Sequence, residues 1–269
     1  MDSNLKSGYP NTARHVFSKG FDQFFTDLYN GGKFIIQIFR QTFTGPFEFK
    51  ETIKQCYEIG YLSLPLISLT GFITGLVFTK QSRPSLAEFG ATSWLPSLIS
   101  IAILRALAPL VTALIAAGKV GSQIGAELGS MKVTEQIDAM EVSATNPFKF
   151  LVVSRVVATT LMIPILMMYT AFVALLGSFL DIHQHELTSL ISFIEKAFER
   201  ITFLDLTSSI VKSVVFGFTI GAVGCYKGYN ASQGTQGVGK AANAAVVLSM
   251  FLIFIEEIII VQITNFIRG

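Results

Sequence analysis

The chain has 269 residues, of which 51% are hydrophobic and only 14% charged, and its mean hydropathy is +0.56. Soluble domains carry about 25% charged residues, so this chain has too little polar surface to cover a water-soluble globule. A net charge of +2 is too small to draw a nucleic-acid partner, and two cysteines, Cys56 and Cys225, make no disulfide framework.

The first fifteen residues are polar and lack an apolar core, so no cleavable secretory signal is expected. Residues 1–55 then form a segment of their own. Phe21, Phe24, Phe25 and Leu28 recur at helical spacing, and Phe34, Ile35, Ile38 and Phe39 follow Gly31-Gly32. Lys19, Lys33, Arg40, Lys50 and Lys54 are interspersed. This pattern predicts one or two amphipathic helices lying in the membrane interface. A sixth span broken at the glycines is the alternative, interrupted by Asp27, Lys33 and Gln37.

A membrane-spanning helix needs roughly 20 apolar residues. Five runs qualify, at about 59–79, 94–118, 150–180, 206–226 and 241–267, and they place a membrane domain over 56–269. Pro65, Pro109 and Pro164 fall inside or beside these runs, which spans tolerate when neighbours satisfy the freed backbone groups. Between the third and fourth runs, Leu187, Leu190, Ile191, Ile194 and Phe198 fall at i, i+3, i+4 spacing. They predict a short amphipathic helix over the outer membrane surface or against a partner.

Lys and Arg set orientation. With the N-terminus in the cytosol, thirteen basic residues face the cytosol and five face outward. Five spans then put the C-terminus on the outer, periplasmic side.

The loop between spans two and three carries the most information. Gly121, Gly125 and Gly129 repeat every four residues, a doubled small-xxx-small surface for a tight bundle or a dimer. The loop continues Val133, Glu135, Gln136, Ile137, Asp138, Met140 and Glu141. Val133, Ile137 and Met140 share one helical face and the acids mark another. Such a helix can lay its apolar side into a groove of an ATPase, with the acids fixing register; a solvated connector helix fits the same periodicity.

Charges within the runs call for partners. Arg105 lies about halfway along span two, where a charge costs roughly 2.5–3.5 kcal/mol on insertion scales. Lys212 lies in span four, and Glu256 and Glu257 interrupt span five. Arg105 and Lys212 can meet a lipid phosphate in an outward-facing cavity. Alternatively Arg105 pairs internally, for instance with Glu257, while Lys212 snorkels. Gly234–Lys240 spells GTQGVGK, but Ala241 stands where a phosphate-binding loop needs Ser or Thr and no strand precedes it, so a glycine-rich turn is expected there. His15, His183 and His185 make no metal set, and no nucleophile–His–acid constellation can be assembled.

The stretch LRALAPLVTALIAAGKVGSQIGAELGSMKVTEQIDAMEVSATNPFKFLVVSRV, with CYKGYNA and GVGKAANAAVVLS further on, resembles the MlaE family of ABC permeases, associated with MCE-domain proteins and lipid asymmetry. The resemblance implies an all-α integral membrane fold, with N-terminal interfacial amphipathic helices, five transmembrane helices and a cytosolic coupling helix. It implies a homodimer in a bacterial inner membrane that moves phospholipid. It further implies an ATPase subunit that binds the ATP and magnesium, a small STAS-domain protein, and an outer-side MCE-domain lipid carrier. No cofactor is expected in the chain itself. The family's acidic residue in RELGP is Ala106 here, so its pairing with the cation matched by Lys212 cannot form. Phe78 and Phe89 are expected near the mouth of an apolar cavity between protomers. Two rivals stay open: an intramembrane lipid-modifying enzyme using Glu256 and Glu257, and a non-transporting scaffold for an ATPase.

Overall fold

The computed structural model describes residues 12–44, 48–186 and 188–268, with backbone alone at 12–24, 27 and 28. Two units are distinguished, residues 1–45 and 46–269.

The first unit holds helix α1 (Thr12–Thr42), which runs unbroken through Gly31-Gly32. It is one helix where the sequence allows one or two. Phe25, Ile35, Ile36 and Phe39 are exposed along it, and Phe34 and Ile38 are buried. The side chains of Phe21, Phe24 and Leu28 lie outside the described residues.

The second unit carries five helical stretches long and apolar enough to cross a membrane: Phe49–Glu88, Thr92–Val133, Phe148–Glu186, Phe203–Tyr229 and Thr235–Arg268. No strand occurs among the described residues. The first stretch joins α2 (Phe49–Ile59) to α3 (Leu64–Glu88) through a 3₁₀ turn at Tyr61–Ser63. Lys119 holds this joint, donating from Nζ to the Leu62 carbonyl and, at 3.1 Å, to Ser63 Oγ.

The second stretch is not a uniform helix. Segments α4 (Leu95–Ala102), α5 (Ala108–Ala116) and α6 (Ser122–Val133) are separated by π-turns at Ile103–Leu107 and Ala117–Gly121. Pro109 follows the first π-turn, where a missing N–H is least felt. Then come α7 (Gln136–Val142), α8 (Ser154–Glu186), α9 (Leu190–Phe198), α10 (Phe203–Tyr229) and α11 (Thr235–Arg268). Gly234, at φ +90°, makes the turn into α11, so GTQGVGK is a glycine-rich entry to a span.

Helix α8 is the hub, packed on α2, α3, α5 and α10, while α11 packs on α6 and α10. The approach of α3 to α8 is close enough that a Cβ on Gly75 would lie 1.9 Å from the Ala174 carbonyl oxygen. Leu95, Ile99, Ile103, Met167, Ile182 and Phe193 form a core in which α4, α8 and α9 meet.

Helix α9 carries the stripe read from the spacing. Leu190, Ile191, Ile194 and Phe198 are exposed, and Phe193 and Ala197 are the buried residues that face α4. Ser97 Oγ fixes the contact by donating to the Lys196 carbonyl at 2.6 Å. This helix has apolar residues on both sides, one stripe exposed and the other packed on α4. Leu187 lies outside the described residues.

Candidate functional site

Antiparallel connection of the five stretches puts α7 at one end of the bundle and α9 at the other. Arg105, Asp205, Lys212, Glu257 and Arg268 gather in the α9 half. Arg105 sits in the π-turn Ile103–Leu107. A π-turn breaks the regular i→i−4 ladder and is frequent at functional sites. Here two freed carbonyls are taken up by α10. Ser209 Oγ donates to the Leu104 carbonyl at 2.7 Å, and Lys212 Nζ to that of Arg105 at 3.0 Å.

The Arg105 guanidinium is ion-paired to Asp205, donating from Nη2 to Oδ2 at 2.8 Å, with Nε 2.6 Å from Oδ1. Arg268, in the last turn of α11, donates to the same Oδ1. Asp205 also closes the capping box of α10, accepting from Thr202 N–H at 3.0 Å and Thr202 Oγ1 at 2.8 Å. Lys212, only 3% exposed, meets Glu257 Oε1 at 2.5 Å. A cavity of about 210 Å³ opens among Arg105, Ala106, Asp205, Lys212, Glu257 and Arg268.

The expected internal pair is thereby corrected. Arg105 pairs with Asp205, not Glu257, and Glu257 belongs to Lys212, which therefore does not snorkel. Glu256 points elsewhere and accepts from Thr219 Oγ1 at 2.5 Å. The two adjacent carboxylates thus serve different partners and do not converge on one reacting centre.

At the opposite end, α6 stops at Val133 and the chain turns through Thr134 and Glu135, the latter in the left-handed region at φ 60°. Val133 is therefore not on the α7 helix, as the periodicity had it. Ile137 is 1% exposed, its side chain buried within its own chain, and Met140 is half-buried. The apolar side expected to enter a partner is already used. What α7 leaves open is Glu135, Gln136, Asp138, Glu141 and Val142, the last 90% exposed. Lys132 Nζ reaches Asp138 Oδ1 at 2.9 Å and ties α7 to α6.

Residues 52–263 match the family model for the permease MlaE. The chain belongs to the MlaE permease family. A probable ABC transporter permease protein of Rickettsia typhi is 35% identical over 212 residues, covering 78% of this chain and 82% of that one. One from Synechocystis is 33% identical over 245 residues, covering 91% of this chain and 92% of its own. The protein TRIGALACTOSYLDIACYLGLYCEROL 1, chloroplastic, of Arabidopsis thaliana is 30% identical, over 83% of this chain and 64% of its own length. The molecule is a multi-pass membrane permease subunit.

Within this MlaE permease the glycine stripe is internal packing. A Cβ on Gly125 would come within 3.1 Å of Ala242 Cα, one on Gly129 within 3.4 Å of Ala231 Cβ, and one on Gly121 within 3.8 Å of Ile220 Cγ2. The stripe seats α6 against α10, α11 and the turn between them. Of the two phenylalanines assigned to a cavity mouth, Phe78 packs on the core around Leu95 and Ile99, and Phe89 is 83% exposed just beyond α3. Neither lines the charged cavity.

The roles of four residues were not read from the sequence. Asp205 carried a visible signal, the T-x-x-D spacing of a capping box from Thr202. Arg268, in the last turn of α11, reads in the sequence as one of the five outward-facing basic residues. Glu127 and Arg155 join α6 to α8 at 3.3 Å beside α7, and a 28-residue separation gives no periodic hint of that.

Proposed function

We propose that this chain is the membrane subunit of an ATP-driven phospholipid transporter, working as a homodimer. In this reading α7 lies in the cytosol and engages an ATPase subunit, which holds the ATP and magnesium. The N-terminus is then cytosolic, and the α9 half faces outward, where an MCE-domain carrier exchanges lipid. A STAS-domain protein completes the cytosolic side. The membrane is a bacterial inner membrane.

The observation that carries this reading is the division of labour along α7. One buried side chain, Ile137, pins the helix to its own bundle, and the acids with Val142 stand clear. A push on such a pinned helix is transmitted to α6 and so to span two, whose first π-turn holds Arg105. Rigid-body motion of packed helices is an established route for such signals. The substrate class follows from the rest of the molecule. Acyl chains suit apolar spans, since each buried CH₂ contributes about 0.8 kcal/mol, and a cation-rich cavity among the spans suits a phosphate headgroup. The Arabidopsis relative also carries a glycolipid in its name.

The test is co-purification from membranes that express the chain with its candidate ATPase. Reversing the acids together (Glu135→Lys, Asp138→Lys, Glu141→Lys) should abolish recovery of the ATPase and lipid-stimulated ATP hydrolysis, while the permease still extracts as a monodisperse species. Full recovery of the ATPase with the reversed helix would sink the proposal.

A further inference from the structure

The charges lining the cavity do not balance. Arg105, Lys212 and Arg268 face Asp205 and Glu257, an excess of one positive charge among the lining side chains. Lys212 has Glu257 as its own counter-ion. Asp205 must serve both guanidiniums, and its oxygens also accept from Thr202. Each guanidinium carries five N–H donors, more than one shared carboxylate can accept. The two helix ends at this site do not change the balance: the positive end of α10 is met by Asp205 in its first turn and the negative end of α11 by Arg268 in its last. An uncompensated charge beside hydrocarbon is costly and calls for a counter-ion.

Building on the lipid reading above, we infer that this cavity is a headgroup site selective for phospholipids of net negative charge over zwitterionic ones, and that Arg268 sets the preference. Without Arg268 the lining holds two cations and two carboxylates. A phosphatidylglycerol headgroup brings one negative charge and no cation, which matches the excess. A phosphatidylethanolamine headgroup brings an ammonium with its phosphate, and that ammonium must either stay in water or approach Arg268. The side chains of Arg105 and Arg268 are 34% and 37% exposed, so both can reach a headgroup while still holding Asp205. Ala106, exposed on the cavity wall, leaves room for a carboxylate to be added without disturbing a buried contact.

The test uses the purified full chain in detergent, stripped of lipid and incubated with mixed micelles containing equal phosphatidylglycerol and phosphatidylethanolamine. Retained lipids are quantified by mass spectrometry. The unaltered chain should retain phosphatidylglycerol in about tenfold preference, equivalent to about 1.4 kcal/mol. Arg268→Gln and Ala106→Glu neutralise the lining by independent routes, and both should bring the ratio close to one. Arg268→Lys keeps the charge and should keep the preference. Lys240→Gln, at the far end of the same helix, should leave the ratio unchanged. Equal retention of both lipids by the unaltered chain would overturn the selectivity while leaving the lipid reading intact. Retention of neither lipid would overturn both. A Lys240→Gln effect as large as that of Arg268→Gln would reduce the preference to general surface charge and overturn the site.

Discussion

The α9 half and the α7 helix handle charge in opposite ways. In the α9 half, Arg105, Asp205, Lys212 and Glu257 are drawn among the spans, and each has a named partner within 3.0 Å. On α7, Glu135, Asp138 and Glu141 are exposed, and Ile137 is the buried side chain that anchors the helix, with the exposed Lys132–Asp138 pair beside it. A charge enclosed by apolar surroundings must be paired, because isolating it is far more costly than the pairing is favourable. A charge in water owes little to its neighbours. The first region should therefore be intolerant of single changes and tolerant of compensated ones, whereas the second should be tolerant of both in folding and sensitive in assembly.

The largest effect expected from this contrast is at Lys212. Lys212→Ala leaves Glu257 without its counter-ion and should cost about 3–5 kcal/mol, seen as a lower midpoint of thermal unfolding in detergent. The paired change Lys212→Met with Glu257→Leu should restore most of that loss. A single change as mild as the double one would erase the distinction between the two ends. Next comes the anchor of the α7 end. Ile137→Ala removes a buried side chain at about 2–5 kcal/mol in a packed core, and the value here should fall near the low end because α7 is short. The readout is faster protease cleavage between residues 133 and 146 with the spans intact. Unchanged cleavage would mean that Ile137 does not pin α7. The smallest effect is at Asp138. Its exposed pair with Lys132 should contribute less than about 1 kcal/mol, so Asp138→Asn should leave the unfolding midpoint where it is and weaken only the capture of an ATPase.

How much of this was legible in the sequence depended on which solvent wrote the pattern. Water and hydrocarbon differ so sharply that five apolar runs and the acidic loop helix stand out in the one-dimensional string. Protein interior and lipid differ little. The exposed and buried sides of α9 are both apolar, and Phe193 could not be told from Ile191 by hydropathy. The partner of Arg105 lies 100 residues away, in the first turn of span four, and no periodic pattern links the two. The π-turns have no compositional signal at all, yet one of them aims Arg105 and supplies the carbonyl that Lys212 takes. The family motif marked Glu127 and Arg155 as members of a pattern without saying that they touch.

The contact between Gly75 and Ala174 has a mechanical consequence. Helices that slide or roll past one another usually do so by letting interdigitated side chains hop between rotamers. Where two backbones meet directly there is no such bearing to turn, and α3 with α8 becomes a single girder. Any working stroke must then flex at its fittings, the 3₁₀ joint under Lys119, the two π-turns of span two and the π-helical segment Phe148–Val153 that leads into α8, while the girder itself swings as one piece.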